Sequence, residues 1–144
     1  MRKGLVLCGL MVFLMVPSLA GTAQLFPCTI IVYANANTYI QSPTFSQWIA
    51  FDTQLNFNTN PCKSTTSATI IVGNPPQNPA PTAPVYMALA DSSTNYCAQQ
   101  LLLMVGTTTI TKSDFPAWFA DGWNGVVFFS ATPWVPASVT IIYQ

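Results

Sequence analysis

The chain has 144 residues, of which 51% are hydrophobic and only 6% charged, with no His and a formal net charge of zero. A soluble domain ordinarily carries about 25% charged residues. Four cations, Arg2, Lys3, Lys63 and Lys112, neither neutralise a nucleic-acid backbone nor build a polybasic patch for acidic lipid. Glu is absent as well, so acid–base chemistry would rest on Asp52, Asp91, Asp114 and Asp121 alone.

The chain opens with a short cationic stretch, Met1–Lys3, followed by an unbroken apolar run, Gly4–Val16. Pro17 and Ser18 break the run, and small residues follow in Ala20-Gly21-Thr22-Ala23. That order predicts a cleaved secretory signal peptide over residues 1–23. Cleavage after Ala20 satisfies the small-residue requirement about as well as cleavage after Ala23. Thirteen apolar residues fall short of the ~20 that span a bilayer, so no membrane span is expected in the mature chain. Residues 24–144 are then a single domain with two lysines against four aspartates.

Cys8 leaves with the leader, which gives the mature chain Cys28, Cys62 and Cys97. In an oxidising compartment such a set reads as a disulfide framework with one cysteine left over. All three pairings are open. Cys28 and Cys62 flank expected strands and are disulfide candidates, with Cys97 left over. A metal site is not expected, because His and C-x-x-C spacing are both missing.

The remaining elements read as β throughout. Cys28–Ala34 is β-branched and apolar. Gln47–Asn58 alternates, with Ile49, Phe51, Leu55 and Phe57 on one face and Asp52, Gln54, Asn56 and Asn58 on the other. Ser67–Gly73, Val85–Ala90, Gln99–Val105, Thr107–Thr111, Val126–Ser130 and Ser138–Tyr143 complete about eight strands, with turn residues between them. Within Ser113–Ala120 one helical turn is expected. Residues 74–84 hold five prolines in eleven residues and form a stiff connection. The fold class is therefore all-β, a single immunoglobulin-like β-sandwich of 7–8 strands.

Catalytic arrangements that need His are excluded, and no phosphate-binding glycine loop occurs. Asp114 and Asp121 lie near Trp118 and Trp123 in sequence, a combination seen at sugar sites, but Asp121-Gly122 and Asn124-Gly125 read as turns. Asp91–Asn95 lacks the calcium-loop pattern. No enzyme and no cofactor are expected. Trp118, Trp123 and Trp134, set in turn-rich sequence, are candidate ligand-facing aromatics.

The C-terminal Pro136–Gln144 alternates Val139, Ile141 and Tyr143 on one face and ends in a penultimate Tyr; Cys28 and Cys62 lie early in the chain. With the leader and the strand count, this resembles the subunits of chaperone–usher pili, including the spore-coat-U-like branch. The resemblance implies an incomplete immunoglobulin-like sandwich completed by a strand from a periplasmic chaperone or another subunit. Val139, Ile141 and Tyr143 are the partner-strand candidates, on a strand expected to lie centrally or at a partner-facing edge. The expected function is a non-enzymatic, secreted or cell-surface assembly subunit with protein partners. A secreted module that binds carbohydrate or a receptor through exposed Trp is the alternative.

Overall fold

Residues 6–7, 21–34, 45–57, 61–73, 85–94, 96–104, 106–130 and 138–144 are described by a computed structural model. Two antiparallel sheets face each other across an apolar core. The strands are β1 (Val6–Leu7), β2 (Gly21–Phe26), β3 (Thr29–Ala34), β4 (Phe45–Ala50), β5 (Ser67–Gly73) and β6 (Val85–Asp91). They continue with β7 (Tyr96–Cys97), β8 (Leu101–Leu103), β9 (Gly106–Thr111), β10 (Gly125–Ser130) and β11 (Ser138–Tyr143). One sheet runs β1-β7-β6-β10-β4 with β8 also on β6; the other runs β2-β3-β11-β5-β9. We call them the first and second sheets. The expected two-layer β architecture is present, and eight of the strands have six or seven residues.

Period-two patterning places the second sheet on the core. In β5, Ala68, Ile70 and Val72 are buried, and in β11 Val139, Ile141 and Tyr143 are buried, while the residues between them face outward. β11 lies between β3 and β5, paired on both sides, with Ile141 opposite Ile30 and Ile70. The central placement expected for this strand is observed. The partner-facing edge role is not, because neither side of β11 is open.

The stretch read as one long strand, Gln47–Asn58, leaves its sheet after Ala50. Its alternation persists without the ladder: Phe51, Leu55 and Phe57 are buried, while Asp52, Gln54 and Asn56 are exposed. Backbone bonds to another loop hold it, with Leu55 N donating to Trp123 O at 2.9 Å and Gly122 N to Leu55 O at 2.9 Å. Asn58 lies outside the described residues. Gly125 sits where the Trp48 ring crosses β10. A Cβ there would lie 2.1 Å from the ring, so only glycine fits.

Cys28 and Cys62 are disulfide-bonded, with Cα atoms 5.2 Å apart. Cys28 occupies the second position of the two-residue β2–β3 turn at φ 60°. Pro27 in front of it completes the type II sequence arrangement, although glycine usually takes the positive-φ place. Cys97 is also disulfide-bonded, and no cysteine among the described residues is free. It is therefore not left over. Counting cysteines after removal of the leader gave three, whereas the whole chain has four, an even set. The Pro-rich 74–84 segment lies outside the described residues. Among those described, no helix is long and apolar enough to cross a membrane.

Candidate functional site: an open edge and an uncharged face

Trp118 and Trp123, expected to face a ligand, are fully buried. The single turn expected in Ser113–Ala120 is a 3-10 turn, Pro116–Phe119, and it is tucked against the core rather than exposed. Trp118 Nε1 donates to Gln99 O at 2.7 Å, and Trp123 Nε1 donates to Ala117 O at 2.8 Å. Both indoles serve packing, and each spends its polar atom on backbone. Trp134 lies outside the described residues. Val139, Ile141 and Tyr143 are core residues, as described above.

The carboxylates also serve the fold. Asp91 is buried; its Oδ1 accepts from Ser93 N at 3.1 Å and Ser93 Oγ at 2.7 Å, and its Oδ2 accepts from Thr94 Oγ1 at 2.9 Å. This closes the turn into β7 as an aspartate cap does. Asp121 Oδ1 accepts from Phe57 N. Asp114 is exposed at the turn after β9. Among the described residues, no group of three or more His, Cys, Asp or Glu is placed to hold a metal ion.

The two edges of the second sheet are treated differently. At β2, Asp52 closes the edge: Asp52 N donates to Ala23 O at 3.1 Å, and Leu25 N donates to Asp52 Oδ1 at 3.0 Å. An isolated parallel bridge joins Ala23 to Phe51. This ties the second sheet to the end of β4 and shuts one side of the sandwich. At β9 no described residue pairs with the far side. Lys112 N donates to Thr66 O at 2.7 Å. The antiparallel alternation therefore turns the amides of residues 106, 108 and 110 toward β5 and those of Thr107 and Thr109 outward. Thr111 O is taken up by the following turn, accepting from Phe115 N at 2.9 Å.

The outer face of the same sheet carries no charge. Register places Thr109, Thr69, Ile142, Thr29 and Phe26 in one row across the five strands. Thr107, Ile71, Thr140, Ile31 and Gln24 form the next row, and Gly73, Ser138, Tyr33 and Thr22 a third. Phe26 is 46%, Tyr33 52% and Ile71 41% exposed. Threonine hydroxyls and methyl groups with Ile71 make up the side of this surface that ends at the open β9 edge, and the Phe26 and Tyr33 rings lie at its opposite side on β2 and β3. Sequence reasoning gave Thr107–Thr111 as a strand but not as an edge, because strand order is set by pairings between residues far apart in the chain.

No protein-family model matches the chain, and comparison with curated proteins gives no match. A solved structure of accessory secretory protein 1,2 and 3 in Streptococcus pneumoniae is similar over 87% of this chain and 86% of that chain, at 15% identity and a TM-score of 0.36. A likeness of that size carries no argument about function.

Proposed function

We propose that the protein is a non-enzymatic, exported structural subunit that joins a cell-surface or extracellular assembly by β-strand pairing, with protein as its partner. The observation that carries this reading is the β9 edge, whose outward amides at Thr107 and Thr109 border an uncharged face. Natural sheets blunt such edges with lysine, inward charge, proline or a bulge. β9, GTTTIT, has none of these before Lys112. Its partner strand would extend the second sheet by backbone hydrogen bonds, with side chains packing beside Thr107 and Thr109. The disulfide agrees with export, and the charge-poor composition with association. The carbohydrate- or receptor-binding alternative loses Trp118 and Trp123, which are inside the core.

Sedimentation velocity of the exported chain at tens of micromolar tests the proposal. Species larger than a monomer that grow with concentration are expected. A monomer throughout that range contradicts it.

A further inference from the structure

The free groups of the β9 edge are few and fixed in place. Thr107 and Thr109 turn both amide and carbonyl away from β5, and their side chains are exposed. The next outward carbonyl, that of Thr111, already accepts from Phe115 N and Asp114 N at 2.9 and 3.2 Å. At the other end the strand begins at Gly106, which has φ 109°. The usable window is therefore Thr107-Thr108-Thr109, which reads the same in both directions and carries no charge.

We infer that β9 pairs with β9 of a second copy of this chain, antiparallel about a two-fold axis at Thr108. In this register Thr107 and Thr109 each exchange backbone hydrogen bonds with the partner's Thr109 and Thr107, so every free group at the edge is used. An axis at Thr109 would set Thr107 against the partner's Thr111, whose carbonyl is already taken. An axis at Thr107 would carry Thr109 past the partner's Gly106, where the strand begins. The side chains agree with the register at Thr108. Thr107 meets the partner's Thr109 on the outer face, a favourable cross-strand pair. The partner's Ile110 comes opposite Gly106, where even an added Cβ would meet nothing within 4 Å. Lys112 stands four positions from the axis, so the two ammonium groups lie on opposite sides of it, with their strand positions about 27 Å apart and beyond the reach of their repulsion in physiological salt. The two five-stranded sheets become one continuous sheet. Because the contact is isologous it uses up β9 of both copies, and this edge builds a closed pair.

This inference rests on the strand-pairing function proposed above and names its partner, and the experiment separates the two. Sedimentation of the unaltered protein is followed to tens of micromolar, and Thr107→Cys, Thr108→Cys and Thr109→Cys are made singly and mildly oxidised. Across the axis the two Thr108 Cα atoms stand about 4.5 Å apart, within disulfide reach. Each of the other two positions meets its own copy only diagonally, at about 7–8 Å. A dimer that grows no further is expected, with a covalent dimer from Thr108→Cys alone and peptide mapping that finds 108 joined to 108. Thr109→Pro removes an amide that β5 does not use, and is expected to keep the melting temperature and lose the dimer. That variant and the unaltered protein decide the matter should Thr108→Cys not fold. A covalent dimer at 107 or 109 in place of 108, or a dimer that survives Thr109→Pro, overturns the two-fold pairing at Thr108. Species that grow past the dimer without a 108 cross-link overturn the second copy as the partner and leave the assembly reading standing. A monomer throughout overturns both.

Discussion

The phenol of Tyr143, the penultimate residue, donates to the backbone carbonyl of Trp118 at 2.7 Å, deep in the core. The Tyr143 ring meets Phe57 edge-on at 4.8 Å and Phe119 at 5.1 Å. Its own amide donates to Cys28 O at 2.8 Å. The last strand, the 3-10 turn and the disulfide-bearing turn are thus joined at one residue. Tyr143→Phe keeps the ring contacts but leaves the Trp118 carbonyl without this donor, and is expected to cost about 1–3 kcal/mol in urea unfolding.

Burial pushes the Tyr143 phenol pKa far above its ordinary value of about 10. A group whose pKa is raised by folding stabilises the fold fully below its unfolded value and loses that contribution as pH rises beyond it. Stability is therefore expected to fall above about pH 10. Denaturant midpoints measured between pH 8 and pH 11 should show this decline in the native chain and a weaker decline in Tyr143→Phe. An equal decline in both would remove Tyr143 as its cause.

The Cys28–Cys62 bond closes a separation of 34 residues. In the chain-entropy account a loop of that length is stabilised by about 4 kcal/mol. Cys62→Ser is expected to lower the melting temperature substantially, by well over the change that a surface substitution produces.

Ile141 is fully buried opposite Ile30 and Ile70, whereas its neighbour Thr140 faces outward. Ile141→Asp places an unpaired carboxylate in the core and is expected to cost several kcal/mol, enough to abolish a domain stabilised by roughly 5–15. Thr140→Asp should change stability by less than about 1 kcal/mol. It should nevertheless weaken association, because it puts a charge in the middle of the uncharged face. Secreted yield and melting temperature check the first pair of outcomes, and sedimentation checks the last.

Asp52 closes the β2 edge with its backbone amide and its side chain. Asp52→Ala keeps the amide bond to Ala23 but leaves Leu25 N without its acceptor, at an expected cost of about 1–3 kcal/mol. Amide exchange at Leu25 should speed up, while β11 amides remain protected.

Local pattern made much of this architecture legible. Ser67–Gly73 and Ser138–Tyr143 were readable to the residue because strict alternation and turn residues bound both strands. β2 was hidden for a different reason: Gly21, Thr22 and Ala23 are the small residues that a processing site also needs, so the same letters serve two purposes. Trp118 and Trp123 misled because turn chemistry around them suggests exposure, while their burial depends on Gln99 and Ala117 supplying acceptors. The closing of β2 by Asp52 joins residues 27 apart in sequence and has no local signature. The open β9 edge is likewise a product of strand order, which no single strand encodes.

The outward amides of Thr107 and Thr109 test the account most directly. Strand pairing at β9 requires these two N–H groups to gain acceptors when copies or subunits associate. Hydrogen exchange of the exported chain, followed residue by residue from dilute to concentrated solution, should show exchange at Thr107 and Thr109 slowing as concentration rises. Thr108 and Ile110, whose amides face β5, should be protected at every concentration. Exchange at Thr107 and Thr109 that stays fast across the whole range, in samples that sediment as assemblies, would contradict strand pairing at this edge.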